Sequence, residues 1–152
     1  MSVNLHASCV SINGKGVLLL GDSGAGKSDL ALRLIDDGAK LVADDRAEIF
    51  VRAQKLCARA PHSIAGLIEL RGIGIIALPF VKSVGVVMAV RLQTRKFPRL
   101  PEGAFYTPKP SPGAHAPVPL IVVNAATPSA TAQIRAALRA FSAGGFRDTF
   151  NE

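Results

Sequence analysis

Apolar residues fall in short blocks along this chain, and the spacing inside each block predicts an element. Gly16-Val17-Leu18-Leu19-Leu20 is a continuous apolar run, as a strand buried on both faces requires. Leu5 to Ile12 predicts a strand before it, and Asn13-Gly14 between them is a strong two-residue hairpin signal. Leu30, Ala31, Leu34 and Ile35 recur at helical spacing. They predict a helix from about Ser28 to Asp37, with Gly38 as its C-terminal stop. Lys40-Leu41-Val42-Ala43 predicts a short strand that delivers Asp44-Asp45 at its end. Arg46 to Val51 and Lys55 to Arg59 predict a second hairpin, with Ile49, Val51 and Leu56 pointing inward. Val84 to Leu92 is nearly all apolar and predicts a central strand. Leu120 to Val123 predicts another strand. A last helix follows, with Thr127 as N-cap and Pro128 in its first turn. Ile134, Ala137, Leu138 and Phe141 form its buried stripe, and Gly144-Gly145 ends it.

Two stretches depart from this pattern. Leu67 to Ile76 is apolar and β-branched but interrupted by Gly72 and Gly74. Glycine inside a strand pattern marks a bulge or a close approach to a ligand. Phe97 to Pro119 holds seven of the ten prolines, which excludes a helix and most ladder positions. It predicts a long surface loop, and loops of that length are usually functional or disordered.

The pieces predict an α/β fold with a mixed, largely antiparallel central sheet, one helix after Gly21–Ser28 and one C-terminal helix. At 152 residues, 49% of them hydrophobic, the chain is expected to form one globular domain over residues 1–152. No apolar run approaches the roughly 20 residues of a membrane span. Met1 to His6 has no basic region leading into an apolar core, so no secretory signal is expected. Cys9 and Cys57 alone do not make a metal site. The net charge is +7 but uneven: seven of eleven acidic residues lie between Asp22 and Glu48. Arg91, Arg95, Lys96 and Arg99 crowd one short segment. Without interleaved aromatics, that segment reads as a solvated face or a protein-facing one, with nucleic acid ranked last.

The candidate chemistry begins at Gly21-Asp22-Ser23-Gly24-Ala25-Gly26-Lys27-Ser28, which fits the phosphate-binding P-loop pattern G-x-x-x-x-G-K-[ST] between a strand and a helix. The glycines let backbone N–H groups converge, and the helix N-terminus adds positive potential. Lys27 is placed to reach β- and γ-phosphates and Ser28 to ligate Mg²⁺. ATP with Mg²⁺ is the expected cofactor pair, which predicts a cytoplasmic protein with reduced thiols. Asp44-Asp45 at a strand end is suited to splay, one carboxylate toward metal and the other toward an acceptor proton. A solvated turn pair is the competing reading.

Gly21 to Ser28, then Leu41-Val42-Ala43-Asp44-Asp45, then Glu69-Leu70-Arg71-Gly72-Ile73-Gly74-Ile75 together resemble the bacterial HPr kinase/phosphorylase family, over roughly residues 5 to 125. The resemblance implies an enzyme that phosphorylates a serine of HPr, a small phosphocarrier of the phosphotransferase system. It also implies that the same site removes the phosphate by phosphorolysis, consuming inorganic phosphate and yielding pyrophosphate. By the same resemblance Lys27 holds the β- and γ-phosphates, Ser28 binds Mg²⁺ and Glu69 is a second metal-linked carboxylate. The Asp44-Asp45 pair contains the general base, either one of the two. His6 stands at the family's spacing ahead of the P-loop, beside the phosphates. Phe97-Pro98-Arg99-Leu100 resembles the family's Y-D-R-L-G, making Arg99 a candidate for stabilising the transferring group; a solvated basic residue is the alternative. Arg71 and Gly72 are candidates for phosphate or partner contact.

Departures matter as well. The family's P-V-R-P-G-R-N segment stands here, around Lys109, as Pro108-Lys109-Pro110-Ser111-Pro112-Gly113-Ala114. The arginine after the glycine is Ala114, which weakens the expectation of phosphorolysis more than that of kinase activity. The chain looks like a short form without the family's N-terminal domain, and its assembly into homo-oligomers stays open. A small-molecule kinase on the same scaffold is one alternative. A nucleotide-dependent regulator, with ATP ordering the proline-rich loop, is the other.

Overall fold

The computed structural model describes residues 1–94, 97–99 and 101–146. In chain order it carries β1 (Ser2–Leu5), β2 (Ala7–Ile12), β3 (Lys15–Leu20), α1 (Lys27–Asp36), β4 (Lys40–Ala43), β5 (Ala47–Arg52) and β6 (Lys55–Arg59). A single 3-10 turn at His62–Ile64 precedes β7 (Leu67–Leu70) and β8 (Gly74–Ala77). Then come β9 (Val84–Leu92), β10 (Ala104–Tyr106), β11 (Val118–Val123) and α2 (Ala130–Ala143).

Strands β1-β5-β6-β9-β3-β2-β4 are hydrogen-bonded in that order, with β11 also on β9 and β10 on β11. Among the strands of the described residues only the β3–β9 and β9–β11 pairs are parallel, so the sheet is mixed and largely antiparallel, as expected. It folds into two layers. Cys9, Leu18, Val42, Ile49, Leu56 and Val86 pack between the layers. On the other face, Val17, Leu19, Met88 and Val90 pack against Leu30 and Leu34 of α1 and Ile134 and Leu138 of α2. Alternate residues of β3 thus serve both cores, which is why its apolar run is continuous.

β9 belongs to both layers, and a bulge lets it cross. Gly16 pairs with Val86, but Val17 pairs with Met88, so Val87 is the extra residue. Before it Val84 and Val86 face the inter-sheet core; after it Met88, Val90 and Leu92 face the helices. One added residue exchanges the two faces of a strand. Gly16 is required at this crossing, because a Cβ there would lie 2.7 Å from the Gly85 carbonyl oxygen.

Several boundaries differ from those the sequence predicts. The expected Leu5–Ile12 strand is broken at His6, because the chain changes layers there: β1 pairs with β5, and β2 with β3 and β4. The second hairpin's first strand starts at Ala47, and Val51 is only half-buried. Gly72 and Gly74 do not interrupt one strand; Gly72 lies in the turn of a β7–β8 hairpin and Gly74 opens β8. The proline-rich stretch contains β10, paired to β11. β11 tolerates Pro119 because its ladder with β9 begins only at Leu120. The last helix starts at Ala130 rather than after Thr127. The Thr127 carbonyl accepts a turn hydrogen bond from the Ala130 N–H, and Asn124 Oδ1 caps Ala126 N–H.

Packing fixes α1, and with it the Gly21–Ser28 loop. Its C-terminus closes with Ala39 N–H on the Leu34 carbonyl and Gly38 N–H on that of Ile35, the paired bonds of a Schellman end. Arg135 of α2 adds hydrogen bonds to the Leu34 and Asp37 carbonyls, 3.1 Å each. Arg33 of α1 reaches the Ala125 carbonyl.

Two predictions arise from the scaffold. The β5–β6 turn holds Ala53 and Gln54 at φ 51° and 63°, a left-handed conformation that disfavours L side chains. Gln54→Gly is expected to stabilise the fold by about 0.5–1 kcal/mol in chemical denaturation; an unchanged or lower midpoint would contradict it. Burial pushes the Cys9 thiol up to about 12. Folded Cys9 therefore keeps a proton that the unfolded chain loses, so this contribution to stability is present below the ordinary thiol pKa and is lost as pH rises toward 12. Native protein treated with an alkylating agent at mildly alkaline pH should be labelled at half-buried Cys57 and spared at Cys9; equal labelling would contradict the burial.

Candidate active site

The parallel β3–β9 pair ends at one edge of the sheet, and β3 runs there into the loop Gly21–Ser28. Gly26 caps α1 at φ +100°, and a Cβ there would sit 3.5 Å from Ala125. A side chain at this position would be strained by the backbone alone. Lys27 opens the helix and is only 5% exposed. Its Nζ donates to the Gly21 carbonyl at 2.7 Å and the Asp22 carbonyl at 3.1 Å. The ammonium is thus folded over the loop whose N–H groups and helix dipole attract an anion.

Asp44 is the hub beside the loop. β2 and β4 lie side by side with a register shift, Cys9 opposite Ala43 and Val10 opposite Leu41, which brings Asp44 across from Ser8. The buried Asp44 carboxylate accepts Ser28 Oγ–H at 2.6 Å and Ser8 Oγ–H at 3.1 Å through Oδ1. Its Oδ2 accepts the Glu69 N–H at 3.1 Å. Three donors hold it in one orientation, which offsets the cost of burying it.

Asp45, one residue on, is its opposite. Its backbone is left-handed at φ 69°, a conformation that costs a non-glycine residue energy and concentrates at functional sites. Its N–H donates to Ser8 Oγ at 3.0 Å, so one serine positions both aspartates. The Asp45 side chain is 59% exposed, and Oδ1 lies 2.8 Å from Nε2 of His6, itself 43% exposed. The His6 bend that breaks the first strand turns its imidazole toward this pair.

A cleft of about 260 Å³ opens beside the loop, lined by His6, Gly21, Asp22, Arg91 and Tyr106. Arg91 stands opposite Leu20 at the end of β9. Tyr106 is half-buried; burial raises its hydroxyl pKa, and the Arg91 charge works in the other direction.

The structure gathers His6, the Gly21–Ser28 loop with Lys27 and Ser28, Asp44 and Asp45 into one site. Glu69 joins through its backbone N–H, with its side chain exposed. Arg71 and Gly72 sit at the exposed β7–β8 turn, and Arg99 is exposed on the long loop. Lys109 is exposed too, and the nearby Gly113 packs on Val51, toward the far end of β5 from Asp45. None of the side chains of Arg71, Arg99 and Lys109 bonds to the described site residues. Arg95 and Lys96 of the basic segment lie outside the described residues.

Three neighbours are not predicted as site residues by the sequence, Arg91 being read there only as part of the basic segment. Ser8 lies in β2 beyond the bend at His6, so parity does not link the two, and its place on Asp44 follows only from β2 lying beside β4. Arg91 interrupts an apolar strand next to the loop strand, a usable signal once the pairing is known. Tyr106 carries no local signal, because its place depends on β10 pairing inside a proline-rich stretch.

Fold and loop together define an α/β domain of the P-loop class. Residues 1–94 match the family of the HPr Serine kinase C-terminal domain, and the chain belongs to that family. It is 46% identical over 86 residues to an HPr kinase/phosphorylase of Limosilactobacillus reuteri, covering 56% of this chain and 27% of that protein. It is 42% identical over 102 residues to one of Caldicellulosiruptor bescii, covering 62% and 33%. The chain therefore spans a third or less of these two relatives. The solved structure of the Hpr(Ser) kinase/phosphatase from Coxiella burnetii superposes with a TM-score of 0.77 at 26% identity, over 93% of this chain and 97% of that one. The family match ends before Arg99 and Lys109, short of the expected reach to residue 125. Among the described residues, no helix is long and apolar enough to cross a membrane.

Proposed function

We propose that this chain transfers the γ-phosphoryl group of ATP to a serine of an HPr-type phosphocarrier, and runs the reverse phosphorolysis at the same site. The observation that supports the reading is the contrast between adjacent aspartates at the mouth of the Gly21–Ser28 loop, Asp44 buried and Asp45 exposed. Asp44 is buried on Ser28, the hydroxyl that ligates Mg²⁺ in P-loop enzymes. A hydroxyl and a fixed carboxylate at 2.6 Å are hard oxygen donors of the kind Mg²⁺ takes, so Ser28 and Asp44 would hold the ion, with Glu69 beside them. When bound, Mg²⁺ neutralises charge on the phosphates.

Asp45 and His6 are exposed where an acceptor arrives. In the forward reaction the serine oxygen forms a bond to the γ-phosphorus, the bond to ADP breaks, and the serine proton passes to the Asp45–His6 pair. In the reverse reaction inorganic phosphate attacks the phosphoserine, the serine oxygen leaves with a proton from that pair, and pyrophosphate is released. Lys27 holds the β- and γ-phosphates, and Arg99 would approach the transferring group from the long loop. Arg71 and Gly72 would face the carrier from the β7–β8 turn, with Lys109 a further contact. The carrier and ATP assign the protein to the cytoplasm.

The test is the intact mass of an HPr-type carrier incubated with the protein and Mg-ATP. One added phosphate, lost again when inorganic phosphate is supplied, is expected. Gain without loss would confine the activity to the kinase direction and implicate Ala114. No gain with ATP bound would move the function to nucleotide-dependent regulation or to a small-molecule acceptor.

A further inference from the structure

Ser8 puts a hydroxyl where the sheet has room for an apolar side chain. All six residues of β2 are buried, and Ser8 is fully so. A buried hydroxyl costs stability unless it is hydrogen-bonded. Both of its hydrogen bonds go to the aspartate pair: Oγ–H donates to Asp44 Oδ1 at 3.1 Å, and Oγ accepts the Asp45 N–H at 3.0 Å. The reason is where the β2–β4 ladder stops. Cys9 opposite Ala43 is its last pair, and beyond it the Asp45 N–H is taken by a side chain instead of a strand carbonyl. The same segment grips Asp45 a second time, since His6 Nε2 lies 2.8 Å from its Oδ1. Asp44 Oδ1 also accepts Ser28 Oγ–H at 2.6 Å. One chain of polar contacts therefore runs from Ser28 through Asp44 and Ser8 to the Asp45 backbone, and burial strengthens each of its links. It ends on a left-handed residue, φ 69°, a conformation that persists only where its surroundings hold it.

We propose that Ser8 is a positioning residue whose hydroxyl links the two halves of the site: loading Ser28 and Asp44 fixes, through Ser8, the backbone from which Asp45 presents its carboxylate. With Ser28 and Asp44 held by a bound Mg-nucleotide, the Ser8 hydroxyl keeps one orientation and the Asp45 N–H keeps its acceptor. The effect on transfer rests on the phosphotransfer reading; the link itself does not.

Transfer rates and amide exchange test the proposal together. At saturating Mg-ATP, Ser8→Ala is expected to slow carrier phosphorylation by about tenfold or more, the scale of two lost hydrogen bonds, one of them to a carboxylate. The KM for Mg-ATP should stay close to that of the wild type, because the loss falls on kcat. In an Asp45→Asn protein the same change should cost little more, since two residues that act through one group are not additive; a merely structural serine would give additive losses. Ser8→Thr keeps the hydroxyl and should recover part of the rate. Without carrier, Mg-ADP should slow hydrogen exchange of the Asp45 amide by about fivefold or more in the wild type and leave it unchanged in Ser8→Ala. Should Ser8→Ala fail to fold, Ser8→Cys, which fills the space with a weak donor, carries both measurements. A wild-type kcat in these variants, losses that add in full to those of Asp45→Asn, or Asp45 protection indifferent to residue 8 would each overturn the proposal. Protection of Asp45 that depends on Ser8, in a protein that phosphorylates no carrier, sinks the phosphotransfer reading and leaves the link standing.

Discussion

Asp45→Asn is expected to slow carrier phosphorylation by about 10²- to 10⁴-fold, the usual contribution of a positioned proton acceptor, while Mg-ATP still binds. Asparagine suits the test. It tolerates the left-handed backbone of residue 45, and its amide can still pair with His6. What it loses is the carboxylate that accepts a proton. Asp44→Asn should behave differently. Residue 44 receives three donors, from Ser8, Ser28 and Glu69, and an amide replaces one accepting oxygen by a donor. Weaker Mg²⁺ affinity is then expected together with slower transfer. The rate by intact mass of the carrier, with a separate nucleotide and Mg²⁺ titration for each variant, resolves the two roles. Undiminished transfer by Asp45→Asn would remove it as the base.

The second large effect is on stability. Leu19 is fully buried in β3, facing the helices, beside Val17, Leu30 and Met88 in one core. Leu19→Ala is expected to cost about 3 kcal/mol from lost burial and the cavity left behind. At this chain length that lowers the melting temperature by roughly 6–12 °C. Leu19→Met keeps most of the volume and should cost less than about 1.5 kcal/mol. Thermal and urea unfolding of both variants check this. Equal losses would mean that shape, rather than volume, governs the site.

Much of this could be read from residues alone where the signal was local. Asn13-Gly14 needed only two residues to specify a turn, and the eight residues Gly21–Ser28 sufficed to place a loop between β3 and α1. Gly38 ended α1 as its position suggested, because a Schellman end is decided within one helical turn. Non-local pairing was harder to read. His6 divides what looked like one strand because β1 and β2 find partners in different layers, a choice made by β5 far along the chain. Gly72 and Gly74 read as breaks in a strand, since hairpin and bulge share the same glycine signal. Thr127 offered a good N-cap, but the chain spent it on a preceding turn. The roles of Asp44 and Asp45 were inseparable in the letters V-A-D-D. Their surroundings differ, Asp44 buried on Ser28 and Asp45 exposed beside His6, which is the contrast the proposed roles rest on, and it depends on β2 lying next to β4.

The crossing of β9 between layers also governs the order in which the protein can assemble. The loop strand β3 has one neighbour made early, across the Asn13-Gly14 turn. Its other side stays open until Val86 to Arg91 arrive. Closing that long stretch of chain is entropically costly and comes late in a search dominated by distant pairings. A ribosome-bound fragment ending before β9 should therefore show no protected nucleotide site. In the finished protein the amides of β3 and β9 should exchange with solvent together, and among the slowest, because a single strand locks both layers. Hydrogen exchange followed strand by strand would reveal this. Early exchange of β9 with β3 still protected would show that the two layers come apart independently.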